Sequence, residues 1–222
     1  DREAQDGLAA RSHERAATAQ KDGLLAEEIV AVAVPQRRGE PIEVTEDEGV
    51  RPGTSVESLG GLAPAFAESG NITAGNASQI SDGGCAVVVA SRETAERLGA
   101  APLAEILAYG QVSGPDTNLL HQPSRAARQA LERAGHAVGD VDLFEINEAF
   151  AAVALASIED LGVPSDVVNV NGGAIALGHP IGMSGARLVL TLALELRRRG
   201  GGLGSASLCG GGGQGDALLL RV

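Results

Sequence analysis

The sequence predicts an α/β fold, a largely parallel sheet with helices on its faces, and three observations carry that prediction. From residue 101 onward, strand-like and helix-like stretches alternate as βαβαβαββ, the rhythm of strands joined by crossover helices. The stretch Leu188 to Leu196 is apolar nearly all round, whereas a helix lying on one face of a single sheet keeps a polar outer side. A glycine-rich loop leads from a strand into the N-terminus of that helix, the place where open α/β sheets gather their ligands.

The elements follow in order. Residues 1–70 hold 14 of the 29 acidic residues and few large apolar ones, which reads as a surface excursion. Within it Ala4, Leu8, Ser12, Ala16 and Ala19 recur at helical spacing, and Asp22-Gly23 stops the helix. Glu28 to Val34 reads as a short strand ended by Pro35 and the Arg37-Arg38-Gly39 turn, with Pro41 to Thr45 as its hairpin partner. Glu46-Asp47-Glu48 reads as a solvated loop. Ile72 to Gly75 and Cys85 to Ala90 are strand-like around a turn-rich Asn76 to Gly84, and Glu93 to Leu98 is a short helix. Then come strand Leu103 to Val112, helix Ser124 to Ala134, strand Val141 to Ile146 and helix Asn147 to Leu161. Strand Val167 to Val170, helix Gly182 to Arg199 and closing strands Ser205 to Cys209 and Ala217 to Val222 complete the chain. The apolar helix needs cover on its outer side, and residues 101–222 contain no second sheet to give it, so a further α/β layer is expected from outside them.

Composition narrows the function. With 44% hydrophobic residues in 222, mean hydropathy +0.06 and no run of 18 apolar residues, a globular chain without a membrane span is expected. The net charge is −12, and the only basic run, Arg197-Arg198-Arg199, closes a helix pattern where arginines complement the dipole. Nucleic acid is therefore an unlikely partner. Two distant cysteines make no disulfide framework, which points to a reducing compartment such as the cytoplasm, and no signal peptide is visible. The four histidines, at 13, 121, 136 and 179, show no paired metal spacing. Gly172 to Gly178 lacks the spacing of a P-loop or a dinucleotide fingerprint. Asp1-Arg2-Glu3 opens directly in helical spacing without an initiating Met, so the sequence is expected to begin inside something longer.

Chemistry concentrates in four places. Asn169 to Arg187 runs from strand through glycine-rich loop into helix, with His179 in the loop and Pro180 stiffening it. A lone histidine is most often structural, but here glycines at 172, 173, 178, 182 and 185 permit close backbone approach, which favours catalysis. Cys209 ends a strand and precedes Gly210 to Gly213, Gln214 and Gly215, a loop able to aim backbone N–H groups at an oxyanion; the alternative is an inert cysteine beside a turn. Asn147 reads first as an N-cap, and its place at the carboxyl end of a strand is also where ligands bind. Thr73 to Gln79 offers small polar groups or is a plain turn. Cys85, inside the apolar run Cys85 to Ala90, reads as a packed small hydrophobe.

Together, Ala74-Gly-Asn-Ala-Ser78, Asn147-Glu-Ala-Phe150, Gly172-Gly-Ala with Gly178-His-Pro180, and Cys209-Gly-Gly211 resemble the thiolase family in order and spacing, and Asp1 to Asp6 looks like its lid region. The resemblance covers essentially all 222 residues. It implies a layered αβαβα fold, with 1–70 as a lid or loop domain, 71–100 as the last strands and helix of the N-terminal half, and 101–222 as the C-terminal half. The rest of the N-terminal half, with the cysteine nucleophile, is expected to be missing. The implied reaction is acyl transfer through a cysteine thioester: condensation of two acetyl-CoA to acetoacetyl-CoA and CoA, or the reverse thiolysis.

By the same resemblance His179 activates the nucleophile and contributes to one oxyanion hole, Asn147 holds the water completing it, Cys209 is the acid–base group, and Gly211 donates its N–H to a second hole. Ser78 contacts the pantetheine arm, with Arg51, Phe66, Ala74 and Phe150 as weaker candidates for coenzyme A contacts or acyl-pocket shape. No cofactor is implied beyond coenzyme A as substrate and product, and the partners implied are acyl-CoA, CoA, whatever supplies the missing half, and further copies in a dimer or tetramer. Two other readings stand beside this one: a 3-ketoacyl-CoA thiolase of broader chain length, and a non-catalytic assembly subunit on the same fold. The presence of His179, Cys209 and Asn147 together speaks against the latter.

Overall fold

The computed structural model describes all of residues 1–222. Helix α1 (Arg2–Lys21) is capped by the Asp1 carboxylate, which accepts from the Ala4 N–H at 2.9 Å. A small hairpin follows, β1 (Val32–Val34) antiparallel to β2 (Ile42–Val44), then two short helices, α2 (Val56–Gly60) and α3 (Arg92–Arg97). The remainder is β3 (Glu105–Ser113), α4 (Gln122–Ala134), β4 (Leu143–Ile146), α5 (Ala151–Leu161), α6 (Ala174–Leu177), α7 (Ser184–Arg198), β5 (Leu203–Gly210) and β6 (Gln214–Arg221). Helices α4 and α5 both stop at a left-handed glycine, Gly135 and Gly162. No helix is long and apolar enough to cross a membrane.

The four-strand sheet has the order β3-β6-β5-β4. Only β4 and β5 run parallel, with Ile146 opposite Ser207; β6 is antiparallel to both of its neighbours. The expected largely parallel sheet is thus corrected to a mixed one. The reason is local: Gly211 to Gly213 reverses the chain in a tight turn, with Gly212 and Gly213 at φ +86° and +76°, and strands joined so closely must pair antiparallel. The expected strand at 167–170 shrinks to one parallel bridge, Phe144 to Val168, because Asn169 turns the chain at φ +48°.

Two other expected strands are absent. Ile72 to Gly75 is a turn bridged once to Pro64, and Cys85 to Ala90 has no regular structure, with Val88 99% exposed. No strand of the sheet lies beside that run, so its β-forming residues have nothing to pair with. Cys85 is accordingly half-buried, not the packed hydrophobe its neighbours suggest.

The main core joins both ends of the chain: Leu8 and Ala9 of α1 and Leu59 of α2 pack with Leu131, Phe144, Ile146, Ala154 and Leu219. One face of α1 is therefore interior, and residues 1–70 are less peripheral than their polarity suggests. On the opposite side of the sheet, Leu188, Leu192 and Leu196 of α7 rest on Leu143, Ala206 and Leu220. Each such leucine contributes about 1.5–3 kcal/mol by burial. The outer side of α7 is covered in part from within the chain, through Thr191 donating to Glu28 at 2.7 Å, Arg198 to Glu27 at 3.4 Å and Asn171 to Glu195 at 2.9 Å.

Candidate functional site

The site forms where β4 and β5 end side by side. Strand β4 stops at Ile146, and Asn169 fixes that end: its side-chain amide accepts from the Ile146 N–H and donates to the Ile146 carbonyl, both at 2.8 Å. Its amide nitrogen also donates to Glu148 Oε1 at 2.9 Å. Glu148 is buried and accepts further bonds at Oε2 from Ser12 Oγ at 2.6 Å and the Ile175 N–H at 3.2 Å. Ser12 in turn accepts from the Gly173 N–H at 3.1 Å. A carboxylate so supplied with donors holds α1, β4 and the glycine-rich loop in one arrangement.

Asn147 is fully buried at the end of β4 and does not cap a helix. The residues after it are not helical, and α5 begins at Ala151 with Phe150 extended at the cap position. What holds them is distant in sequence: the Ser78 N–H donates to the Ala149 carbonyl at 3.1 Å, and the Ala151 N–H to the Asn76 carbonyl at 2.9 Å. Asn76 itself is pinned by its amide to Asp6 at 2.8 Å. Ser78 and Phe150 are thereby fixed to the segment that follows Asn147.

His179 lies in the loop between α6 and α7. Gly178 precedes it at φ +98°, and a Cβ there would collide with the Ser81 hydroxyl, so only glycine lets this loop pass. The Asn147 amide nitrogen is 3.2 Å from His179 Nε2 and 3.5 Å from Nδ1. A partner in the ring plane along the Nε2 lone pair would stand much farther from Nδ1, so the amide lies over the ring and leaves that in-plane direction open. Nδ1 is 2.5 Å from Ser184 Oγ, at the first position of α7. Burial, and secondarily the Arg187 guanidinium, lower the His179 pKa below its ordinary value, which favours the neutral imidazole. Asn147 Oδ1 is buried without a hydrogen-bond partner.

Cys209, opposite Gly215 near the end of β5, is buried in a small apolar cluster with Ala149 and Val153, flanked by Leu119, Leu120 and Phe150. Burial raises its thiol pKa, so the sulfur carries its proton at neutral pH. Cys85 is also raised, by burial and then by Glu28. Phe66 is exposed but meets Phe150 edge-on, with ring centroids 5.9 Å apart. Gly211 is exposed in the turn after β5.

Of the residues expected from sequence, His179 and Asn147 are in direct contact, Cys209, Phe150 and Phe66 form one apolar wall, and Ser78 is tied to the segment between them. Arg51 is exposed on a separate loop, where its N–H donates to His13 Nδ1 at 3.2 Å; Gln79 fastens that loop to α6 by donating to the Gly49 and Ala176 carbonyls. Ala74 is exposed in the Thr73 to Asn76 turn, outside the apolar wall. Residues that the sequence did not single out are Ser12, Leu119, Leu120, Glu148, Asn169 and Ser184.

Behind His179, Glu145 of β4 pairs with Arg187 of α7 at 3.1 Å, both nearly free of solvent. Burial raises the Glu145 carboxyl to about 8 against the opposing pull of Arg187.

Known proteins resemble this chain along its whole length. Residues 1–93 match the family model described as thiolase, N-terminal domain, and residues 100–222 that described as thiolase, C-terminal domain. Both halves are therefore represented, which does not support the expectation of a chain lacking the N-terminal one. A protein of Mycolicibacterium smegmatis named probable acetyl-CoA acetyltransferase is 61% identical over 217 residues, covering 98% of this chain and 56% of that protein. One of the same name from Mycobacterium tuberculosis is 59% identical, and an acetyl-CoA acetyltransferase of Cupriavidus necator 50% identical, each again covered over 56% of its length. The crystal structure of the Bacillus anthracis acetyl-CoA acetyltransferase superposes with a TM-score of 0.96 at 42% identity, over 100% of this chain and 56% of that one. The chain thus spans about half the length of the relatives it matches.

Proposed function

The chain belongs to the thiolase family, and from that premise we propose that it carries the acid–base side of an acyl-CoA acyltransferase that interconverts two acetyl-CoA with acetoacetyl-CoA and CoA. The observation that carries this reading is that Asn147, at the end of β4, touches the His179 ring, while the buried, protonated Cys209 thiol lies near the end of the adjacent strand β5. A neutral imidazole can take the proton of an attacking thiol. A high-pKa thiol in an apolar cluster suits the return of a proton to carbon, and as thiolate its removal. Neither cysteine of this sequence suits the nucleophile: Cys209 has the second role, and Cys85 is held protonated by burial and by Glu28. The acylated cysteine is accordingly assigned to residues outside this sequence.

In this reading His179 and a water held by Asn147 stabilise the oxyanion of one step, and the Gly211 N–H that of the other, each donor lowering the barrier by about 3–4 kcal/mol. The unpartnered, buried Asn147 Oδ1 fits a residue that waits for such a water. Ser78 contacts the pantetheine arm, and Arg51 and Ala74 are weaker candidates for contacts with coenzyme A. A short acyl group is favoured by Leu119, Leu120 and Phe150 closing around Cys209 and by Phe66 leaning on Phe150. A broader 3-ketoacyl-CoA thiolase would need that wall to part. Comparing thiolysis of acetoacetyl-CoA with that of longer 3-ketoacyl-CoA separates the two.

The decisive experiment is Cys209→Ser in the complete enzyme. A burst of CoA release from acetyl-CoA is expected to persist, because acylation does not use Cys209, while acetoacetyl-CoA formation stops. Loss of the burst would reverse the cysteine roles. Thiolysis by the purified 222-residue chain would refute the assignment of the nucleophile to residues outside it.

A further inference from the structure

Ser184 is 1% exposed, and its hydroxyl has two neighbours: the Pro180 carbonyl oxygen at 2.9 Å and His179 Nδ1 at 2.5 Å. A hydroxyl has one proton to give. If it donates to Pro180, its lone pair accepts from an Nδ1–H and both contacts are hydrogen bonds. If it donates to Nδ1, only one bond forms, and two oxygens face each other at 2.9 Å with no proton between them. The Pro180 carbonyl already accepts from the Met183 and Ser184 N–H groups, each at 3.0 Å, so it is the unshielded 2.9 Å contact between two oxygens that disfavours the second arrangement. The only ring nitrogen left with a lone pair is then Nε2, the one whose in-plane direction the Asn147 amide leaves open.

We propose that Ser184 is a positioning residue that fixes neutral His179 as its Nδ1–H tautomer and so makes Nε2 the basic nitrogen of the site. The functional part of this inference rests on the acyltransferase reading above; the tautomer does not. In acylation the nucleophile's S–H bond breaks, its proton goes to Nε2, and the ring becomes an imidazolium with Nδ1–H still bonded to Ser184. The thiolate bonds to the acyl carbon and the new Nε2–H donates to the oxyanion that develops there; as the oxyanion collapses, the carbon–sulfur bond to CoA breaks and the Nε2 proton leaves with it as the CoA thiol. One nitrogen thus serves first as base and then as donor, in an order set by the serine, and the other tautomer would offer the donor first and no base.

The tautomer is read directly by nitrogen-15 NMR of the full chain labelled at histidine, with the His179 signals identified by their loss in His179→Gln. A protonated-type Nδ1 and an unprotonated-type Nε2 are expected at pH above the His179 pKa, and the reverse pattern in the unsubstituted protein overturns the proposal. Ser184→Ala is expected to shift the population toward Nε2–H, while Ser184→Thr, which keeps the hydroxyl, retains the original pattern. In the complete enzyme, acylation by Ser184→Ala is expected to slow about 10- to 100-fold at unchanged KM for acetyl-CoA, with Ser184→Thr recovering most of it. An unchanged tautomer and rate in Ser184→Ala also overturns the proposal. Absence of acyl transfer in the unsubstituted enzyme would instead count against the functional reading, and the NMR result would stand apart from it.

Discussion

Replacing Ser12 with alanine removes a single oxygen that serves two partners from different parts of the chain. The hydroxyl donates to the Glu148 carboxylate at 2.6 Å and accepts from the Gly173 N–H at 3.1 Å. A hydrogen bond to a charged group contributes about 1.5–3 kcal/mol, and stranding a buried N–H costs about 1–3 kcal/mol. These losses share one site and do not add fully, so about 3 kcal/mol is expected. Ser12 is 3% exposed, which leaves little solvent to refill the gap. Urea unfolding of the full chain measures the loss. With a slope of about 2–3 kcal/mol per molar, the midpoint should fall by about 1–1.5 M at unchanged slope. Ser12→Thr, which keeps the hydroxyl, should lose much less. A double-mutant cycle with Glu148→Gln should return a coupling of about 1.5 kcal/mol or more. A loss under about 0.5 kcal/mol, or additivity of the two substitutions, would refute the idea that this pair ties α1 to the site.

Gly172→Ala tests the same junction by shape. Gly172 has φ +86°, and a Cβ there would lie 2.6 Å from the Ala16 Cβ and 2.7 Å from the Ser12 carbonyl. A loss of at least about 2 kcal/mol is expected in thermal or urea unfolding, and an unaltered melting temperature would contradict the close packing of α1. Glu145→Gln tests the buried pair behind His179. The native carboxyl is raised to about 8 from 4.5, so between those pH values the folded state holds a proton that the unfolded state has released. Stability should therefore fall as pH rises through that window, and the decline should flatten in the glutamine variant. Unfolding at about pH 5 and about pH 8 checks this, and parallel pH dependence in both proteins would count against it.

The sequence was legible where chemistry is dense and local. The loop around His179 declares itself by its glycines, and the strands ending at Ile146 and near Cys209 were placed within a few residues. Legibility failed where a partner decides the outcome. Cys85 to Ala90 has strand-forming residues, but a strand needs a neighbour and none lies beside it. Asn147 looked like an N-cap because helix periodicity begins there; the non-helical run to Phe150 depends on Asn76 and Ser78, some seventy residues earlier. The strand rhythm of the second half says nothing about direction, and a three-glycine turn made the last pair antiparallel. Ser12 was placed in the helical repeat of α1 but not read as part of the site, and Ser184 went unnoticed because serine in a helix usually faces water. Only the spacing of Ser184, five residues past His179 at the first turn of α7, could have marked it.

These serines also show how the site divides stability from chemistry. Starting from α1, hydrogen bonds run from Ser12 to Glu148 to Asn169 and on to the end of β4, and these set where Asn147 stands. A separate set runs from the Pro180 carbonyl through Ser184 to Nδ1, and this governs which nitrogen of His179 is a base. The two sets meet only where the Asn147 amide lies over the imidazole. Cutting the first should therefore loosen the fold while leaving the tautomer alone, and cutting the second should change the tautomer at little cost to the fold. If Ser12→Ala altered the His179 tautomer, the two sets would be one network, and the position of Asn147 would control protonation as well as shape.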